Sequence, residues 1–219
     1  MFTEEGFTVN VLLIGDSIRL FYEKTVKEQL GDGYNIYSPV ENCRFSSYVL
    51  NSLRFWLAEF PTPDIIHFNA GLWDIAVLYS EDGCFIGLNE YVENMKKILR
   101  VLKSTGAAVI LATTTPVSNE KKDLPGPMPP AHRNEDIIRY NAALLDAFHD
   151  EGIYINDLFS LMYNEKEKYL SEDMIHPNAD GIVLLGTAVT NAIKNCPVAE
   201  AKRTEQVVSK IQLTEKTIQ

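Results

Sequence analysis

The sequence predicts an α/β protein in which helices cover both faces of a five-stranded parallel sheet, a three-layer α/β/α sandwich. Short apolar runs rich in β-branched residues alternate with longer segments of helical character. The runs are nearly continuous in apolar residues, which is typical of parallel strands buried on both faces. With right-handed crossovers, this pattern predicts a doubly wound, flavodoxin-like sheet, whose ligands bind beyond the carboxyl ends of the strands.

The elements follow one another with turn residues between several of them. Gly31-Asp32-Gly33 ends the first helix, a Pro-Thr-Pro segment at 61–63 precedes the third strand, and Gly106 ends the third helix. The predicted strands are 9–14, 34–37, 65–68, 107–112 and 153–155, and the predicted helices are 18–30, 46–59, 88–105, 134–150 and 180–195.

Length and composition predict one domain over residues 1–196 followed by an appended helix or tail over 197–219. The chain has 219 residues, 46% of them hydrophobic, which is enough for a substantial core. The tail mixes apolar residues such as Val207, Ile211 and Ile218 with charges. This mixture suits an amphipathic helix that packs on the domain or joins two copies of the chain into a homo-oligomer.

Charge and cysteine content exclude several classes of partner. A net charge of −10 argues against binding to nucleic acid or to an anionic membrane surface. The N-terminus lacks a basic segment followed by a long apolar one, and no run of about 18 apolar residues follows. Cys43, Cys84 and Cys196 have no disulfide or zinc-site spacing. We therefore expect a cytoplasmic protein without a metal or other cofactor.

Ser17 is the first candidate site residue. Gly15-Asp16-Ser17 lies where the apolar run 9–14 gives way to a helix. Backbone N–H groups at a helix N-terminus lack partners within the helix and carry the positive end of its dipole, so they can stabilise an oxyanion that forms beside the hydroxyl. A plain turn with an N-cap is the alternative interpretation. Asn69 and Thr113 fall at the ends of two further predicted strands.

Asp173 and His176 supply a carboxylate and an imidazole three residues apart. In a turn, residues i and i+3 can converge on one side, so Asp173 needs no separate loop to reach the ring. A His-Pro pair also commonly marks a loop before a helix, so each motif alone is weak. Their joint occurrence with Ser17 in one α/β domain points to a serine hydrolase.

These motifs resemble the SGNH or GDSL-type esterase family over roughly residues 9 to 195. The Gly-Asp-Ser and Asp-x-x-His blocks match, whereas the two middle blocks depart from the family pattern. The resemblance implies the SGNH hydrolase fold and ester hydrolysis, with Ser17 as nucleophile, His176 as general base and Asp173 as the carboxylate that fixes the imidazole tautomer. The absence of a Gly-x-Ser-x-Gly elbow separates the chain from the larger α/β-hydrolase class.

The third family block corresponds to residues 69–74. Aligned on Gly71 and Asp74, the family's oxyanion-holding Asn position is occupied by Trp73, whose indole has a different reach. Asn69 is the better amide donor: if the strand continues to Gly71, the two residues project to the same side. The alternatives are that Asn69 ties adjacent loops together, and that Trp73 is either a wall of the substrate site or part of the core.

The second block, residues 41–46, has no glycine where the family has one whose backbone N–H points into the oxyanion hole. A backbone donor does not require glycine unless φ is positive or the substrate passes very close. We therefore expect the N–H of Cys43 to serve, with Arg44 as the neighbouring alternative. The Arg44 side chain is expected either at an anionic or hydroxylated substrate or in a surface salt bridge.

The favoured function is a serine ester hydrolase that cleaves a small acyl ester, such as an acetyl group on a carbohydrate, through an acyl-enzyme. A polar stretch at 118–130 should overhang the site and shape it, and several relatives of this type are carbohydrate deacetylases. Two alternatives stay open. One is a carbohydrate- or small-ligand-binding module that kept the geometry without turnover. The other is a phosphate or nucleotide binder at the Ser17 helix N-terminus. Asp16 and the lack of a longer glycine-rich loop argue against this alternative.

Overall fold

Five parallel strands form one sheet in the computed structural model of the protein, which describes residues 8–78, 83–118 and 131–202. The strand order β2-β1-β3-β4-β5 is that of a flavodoxin-like, doubly wound sheet, so the predicted fold class is confirmed. The strands are β1 (Val9–Ile14), β2 (Tyr34–Tyr37), β3 (Ile65–Phe68), β4 (Ala108–Ala112) and β5 (Tyr154–Asn156).

The five long helices lie where the sequence predicts them, with ends that differ by at most two residues. The structure adds three short helices, α3, α6 and α7, which span too few residues to show a helical period in the sequence. The helices are α1 (Ser17–Leu30), α2 (Ser46–Glu59), α3 (Leu72–Ile75), α4 (Leu88–Lys103), α5 (Asn134–Phe148), α6 (Leu158–Tyr163), α7 (Lys166–Tyr169) and α8 (Ala179–Lys194).

The core lies between the sheet and two groups of helices. Helix α1 packs against α8, while α4 packs against both α2 and α5. Val11 to Ile14 of β1 and all of β3 are buried, so side chains on both faces of these strands are covered. At the centre of the sheet, Val11 is paired in register with Ile36 of β2 and Ile65 of β3. This burial explains the uninterrupted apolar runs in the sequence.

Two expectations fall partly outside the described residues. Residues 197–202 of the predicted tail are helical and Ala199 is buried. The Lys202 ammonium lies 2.7 Å from the Asp64 carboxylate. Residues 203–219 lie outside the described residues, and so does the predicted contact between copies of the chain. Residues 119–130 of the predicted overhang are likewise outside, although Ser118 donates its backbone N–H to the Met174 carbonyl at 2.9 Å. No helix in the described ranges has the length and apolar character needed to cross a membrane.

Candidate active site

The carboxyl ends of the strands gather the candidate residues at one edge of the sheet. Ser17 begins α1 three residues after the end of β1, Asn69 follows β3 directly, and Thr113 follows β4 directly. Parallel strands end at the same edge, so these residues from distant parts of the sequence become neighbours. His176 reaches the same edge from the segment between α7 and α8.

Ser17, His176 and Asp173 form a continuous hydrogen-bonded chain. The Ser17 hydroxyl oxygen lies 2.8 Å from Nε2 of His176, and Nδ1 of the same ring lies 2.6 Å from Oδ2 of Asp173. An ionised carboxylate only accepts hydrogen bonds, so the ring carries its hydrogen on Nδ1 and presents the Nε2 lone pair to the serine. This is the arrangement in which an imidazole can remove the hydroxyl proton.

The Asp173 carboxylate is held in place by its own turn. Its Oδ1 accepts the backbone N–H groups of Ile175 (3.0 Å) and His176 (2.9 Å) and the hydroxyl of Ser171 (2.8 Å). Burial raises the pKa of this carboxyl, but the hydrogen bonds from His176, Ile175 and Ser171 outweigh burial and lower the pKa to about 2. Asp173 is therefore ionised at neutral pH, with Oδ2 left for the imidazole.

Asp16 sets the start of α1 and hence the position of Ser17. Its Oδ1 accepts the Ile18 N–H at 2.9 Å as an N-cap, while Oδ2 is buried and has no hydrogen-bond partner among the described residues. The side chain is only 1% exposed, and burial raises its pKa to about 6. The neighbouring Arg19 is buried as well and donates to the Glu41 carbonyl at 2.8 Å, which joins α1 to the second block.

In the second block, both backbone N–H groups considered as oxyanion donors have acceptors within the protein. Cys43 donates its N–H to the Gly15 carbonyl at 3.3 Å, and Arg44 donates to Oδ1 of Asn42 at 2.8 Å. The Cys43 thiol is buried, and burial raises its pKa to about 11, so it is a neutral thiol and not a nucleophile. Arg44 has a φ of 53°, the left-handed region that favours glycine.

In the third block, β3 ends at Phe68, as the sequence predicts, so the strand does not continue to Gly71 and the condition for Asn69 and Gly71 to project to the same side is not met. Asn69 instead donates one amide hydrogen to the Ala112 carbonyl at 2.9 Å. This bond ties the loop after β3 to the end of β4 and leaves the second amide hydrogen for another acceptor. Trp73 lies in α3 and is 40% exposed, which rules out the core alternative for this residue.

Gly71 and Asp74 hold the third block in position. A Cβ atom at Gly71 would collide with the Thr114 hydroxyl, so the loop can pass the end of β4 only with glycine here. Asp74 is fully buried and accepts the backbone N–H of Ser46 at 3.0 Å and its hydroxyl at 2.5 Å. Burial raises the pKa of Asp74 to about 7. These contacts join the third block to the start of α2.

Sequence reasoning missed Phe21, whose ring centroid lies 5.0 Å from that of His176 and which is 42% exposed. The signal was available, since Phe21 is four residues after Ser17 and therefore lies on the same helix face.

His67 is a different case. It is buried, accepts a hydrogen bond from the Asn156 amide (3.1 Å), and has its pKa lowered to about 3 by burial, so it is neutral.

A small cavity lies beside the candidate site, with Ile18, Asn69 and Thr115 among its lining residues. Its volume of about 10 Å³ is close to what one water molecule needs. This cavity does not hold an acyl chain. Among the described residues, no group of three or more His, Cys, Asp or Glu side chains is arranged to hold a metal ion.

Solved structures with the same architecture include acylhydrolases and acetyl xylan esterases. A lipase/acylhydrolase from Enterococcus faecalis superposes with a TM-score of 0.68 at 19% identity, covering 85% of this chain and 96% of that one. An acetylxylan esterase from Geobacillus stearothermophilus gives 0.67 at 17% identity, with 86% and 96% covered. Another acetyl xylan esterase, AlAXEase, gives 0.65 at 16% identity, with 84% and 100% covered.

The chain therefore has the SGNH hydrolase fold, and the resemblance predicted from its sequence motifs is confirmed at the level of the fold. No protein-family model matches the sequence, and no curated protein matches it either.

Proposed function

We propose that this protein is a serine ester hydrolase in which Ser17 is the nucleophile. One observation carries the proposal: the hydrogen-bonded chain from the Ser17 hydroxyl through His176 (2.8 Å) to Asp173 (2.6 Å). A serine that only capped a helix would need no imidazole beside its hydroxyl, nor a hydrogen-bonded turn to hold a carboxylate behind that imidazole. The acylhydrolases and esterases that share the fold support the same class of reaction.

The reaction proceeds through an acyl-enzyme. Nε2 of His176 removes the proton of Ser17 as its oxygen attacks the acyl carbonyl, and Asp173 stabilises the imidazolium that forms. The tetrahedral intermediate collapses, and the imidazolium gives its proton to the departing alcohol. Water then attacks the acyl-enzyme with His176 again as the base, which releases the acid and restores the serine.

The developing oxyanion needs hydrogen-bond donors at the sheet edge. The N–H of Ser17 has no acceptor within α1, because it belongs to the first turn of the helix. The second amide hydrogen of Asn69 is the next donor, since only one is used by Ala112. A backbone N–H of the second block, from Cys43 or Arg44, completes the set once a substrate oxygen competes with its present acceptor. Each donor of this kind contributes about 10²–10³ in rate.

The substrate we propose is a small acyl ester on a carbohydrate, with acetyl as the acyl group. The exposed Trp73 offers an aromatic wall to a sugar. Two acetyl xylan esterases are among the structural neighbours.

A cytoplasmic location and self-association through the tail stay predictions from the sequence.

Labelling and turnover test the proposal together. We expect a fluorophosphonate probe to label the protein stoichiometrically at Ser17 and 4-nitrophenyl acetate to be hydrolysed, with both signals lost in Ser17→Ala. A control variant, Ser171→Ala, removes a hydroxyl near the site without touching the nucleophile and should still be labelled. Absence of labelling and of turnover in the folded wild-type protein would refute the hydrolase and favour the alternative function, a binding module that kept the site geometry.

A further inference from the structure

Arg44 has a backbone conformation that arginine rarely adopts. Its φ of 53° lies in the left-handed region, where glycine has no steric penalty and a residue with a long side chain does. The chain is anchored on both sides, at Cys43 before it and at Ser46 two residues after it. Cys43 donates its N–H to the Gly15 carbonyl, and Ser46 donates to the buried Asp74 carboxylate. An arginine where glycine would fit with less strain indicates that its side chain is used.

The Arg44 guanidinium is a cation without a carboxylate partner in the described parts of the chain. The residue is exposed, and its Cζ lies 5.1 Å from the centroid of the Tyr48 ring, which supports the side chain from one side. Arg19 and Arg139 are different, since each forms an ion pair with a carboxylate one helical turn away. An unpaired guanidinium keeps its planar set of donors available for a ligand.

Arg44 lies next to the loop that carries the nucleophile. The hydrogen bond from Cys43 to Gly15 places the second block against the residues immediately before Ser17. On its other side, the ring of Phe45 packs against Phe85 with centroids 5.2 Å apart, so an aromatic surface continues from the guanidinium. The backbone of this segment therefore lies beside the nucleophile loop, and the exposed Arg44 side chain extends from it over the Tyr48 ring.

We propose that Arg44 binds a carboxylate on the ester substrate and so selects acidic esters over neutral ones of the same size. This inference rests on the ester hydrolase proposed above and names its substrate class more narrowly. A chain with a net charge of −10 repels anionic molecules in general, so an acidic substrate needs a local cation at the site. The guanidinium fork matches a carboxylate with two parallel hydrogen bonds.

Matched pairs of acidic and neutral esters test the proposal. The first pair is 4-acetoxybenzoate and 4-acetoxybenzamide, with the charge on the alcohol side. The second pair is the 4-nitrophenyl monoester of succinate and 4-nitrophenyl butyrate, with the charge on the acyl side. The readout is the ratio of kcat/KM for the acidic ester to that for its neutral partner. Effects of a substitution on the backbone act on both esters and cancel in this ratio.

We expect the wild type to prefer the acidic ester of at least one pair, and Arg44→Gly to lower that ratio about tenfold. Glycine suits the positive φ, so this variant should fold and unfold thermally no earlier than the wild type. Arg44→Lys should keep part of the preference. Arg54→Gln is the matched control, because Arg54 is also exposed and stacked on an aromatic ring but lies about 12 Å along α2 from its first residue, Ser46. The ratio should not change in this variant.

An equal ratio in the wild type and Arg44→Gly would overturn the proposal, while turnover of the neutral esters would leave the hydrolase intact. If the wild type cleaves neither these four esters nor 4-nitrophenyl acetate and is not labelled by the fluorophosphonate, the hydrolase fails and calorimetry decides on the anion site. Tighter binding of 4-acetamidobenzoate than of 4-acetamidobenzamide, lost in Arg44→Gly, would then support an anion site. Equal affinities would overturn it.

Discussion

The substitution Asp173→Asn separates the two tasks that the structure gives to one carboxylate. Oδ1 accepts three hydrogen bonds within the turn, whereas Oδ2 accepts one from Nδ1 of His176. An asparagine can keep its carbonyl oxygen at the Oδ1 position and so retain the three bonds of the turn. The opposite orientation would point its NH₂ group at three donors. The variant therefore presents NH₂ to the imidazole.

This orientation inverts the tautomer of His176. Facing an NH₂ group at the present 2.6 Å contact, Nδ1 must become an acceptor, and the ring hydrogen moves to Nε2. Nε2 then donates to the Ser17 oxygen and can no longer take its proton. Replacement of the carboxylate by an amide in a triad of this kind lowers kcat about 10⁴-fold. That loss corresponds to a barrier higher by about 5 kcal/mol.

The assay compares kcat for 4-nitrophenyl acetate and the thermal unfolding midpoint across three proteins. We expect Asp173→Asn to lose about 10⁴-fold in kcat with its midpoint within a few degrees of the wild type, because the turn is kept. Ser171→Ala removes one donor to Oδ1 and leaves Oδ2 alone, so its loss in kcat should stay below about tenfold. An Asp173→Asn protein that retains more than a tenth of the wild-type kcat would refute this account of the carboxylate.

Three further predictions concern the surroundings of the nucleophile. Burial raises the pKa of Asp16 from 3.8 to about 6, so its contribution to stability is present below pH 4 and is lost as the pH rises through 6. Asp16→Asn keeps the N-cap but has no carboxyl to ionise. The unfolding free energy of this variant minus that of the wild type should therefore rise by about 3 kcal/mol from pH 4 to pH 8. Urea titrations at pH 4 and pH 8 measure this change, and the same free-energy difference between variant and wild type at both pH values would contradict the prediction. Asp32→Asn is the control, because Asp32 is exposed. Gly71→Ala should lower the unfolding free energy by about 1–3 kcal/mol, because the new methyl group collides with Thr114. In a protein that already carries Thr114→Ala, the same substitution should cost much less. Phe21→Ala removes the ring beside the imidazole and should lower kcat/KM about tenfold, whereas Phe21→Leu should lower it less; equal rates would show that the ring has no positioning role.

Much of the fold could be predicted because the information is local. Strands buried on both faces appear as uninterrupted apolar runs such as Val9–Ile14, and long helices are bounded by turn residues such as Gly31 and Gly106. The contact between Asp173 and His176 is local as well, since residues three apart meet in one turn. The short helix α3 had no such signal, so the placement of Trp73 in a helix directly after Gly71 could not be predicted.

The departures in the middle blocks could not be resolved from the sequence, because they depend on contacts between distant segments. The Asn69 amide is engaged by Ala112 of β4, and the Cys43 N–H by Gly15. Arg44, with its positive φ, lies between Cys43 and Ser46, which are bonded to two other segments. A substitution in a motif shows that a residue differs, whereas its hydrogen-bond partners are known only after the chain has folded.

By itself the sequence determined the order of strands and helices, the serine at a strand-to-helix junction and the carboxylate beside its histidine, because each of these depends on residues a few positions apart. Only the tertiary structure decided that the Ser17 hydroxyl meets the His176 ring at 2.8 Å across 159 residues of sequence. It also decided that the segment of Cys43 and Arg44 is tied to Gly15, directly before Asp16 and Ser17. The physical reason is that parallel strands end at one edge of the sheet and bring together side chains whose distances no local pattern encodes.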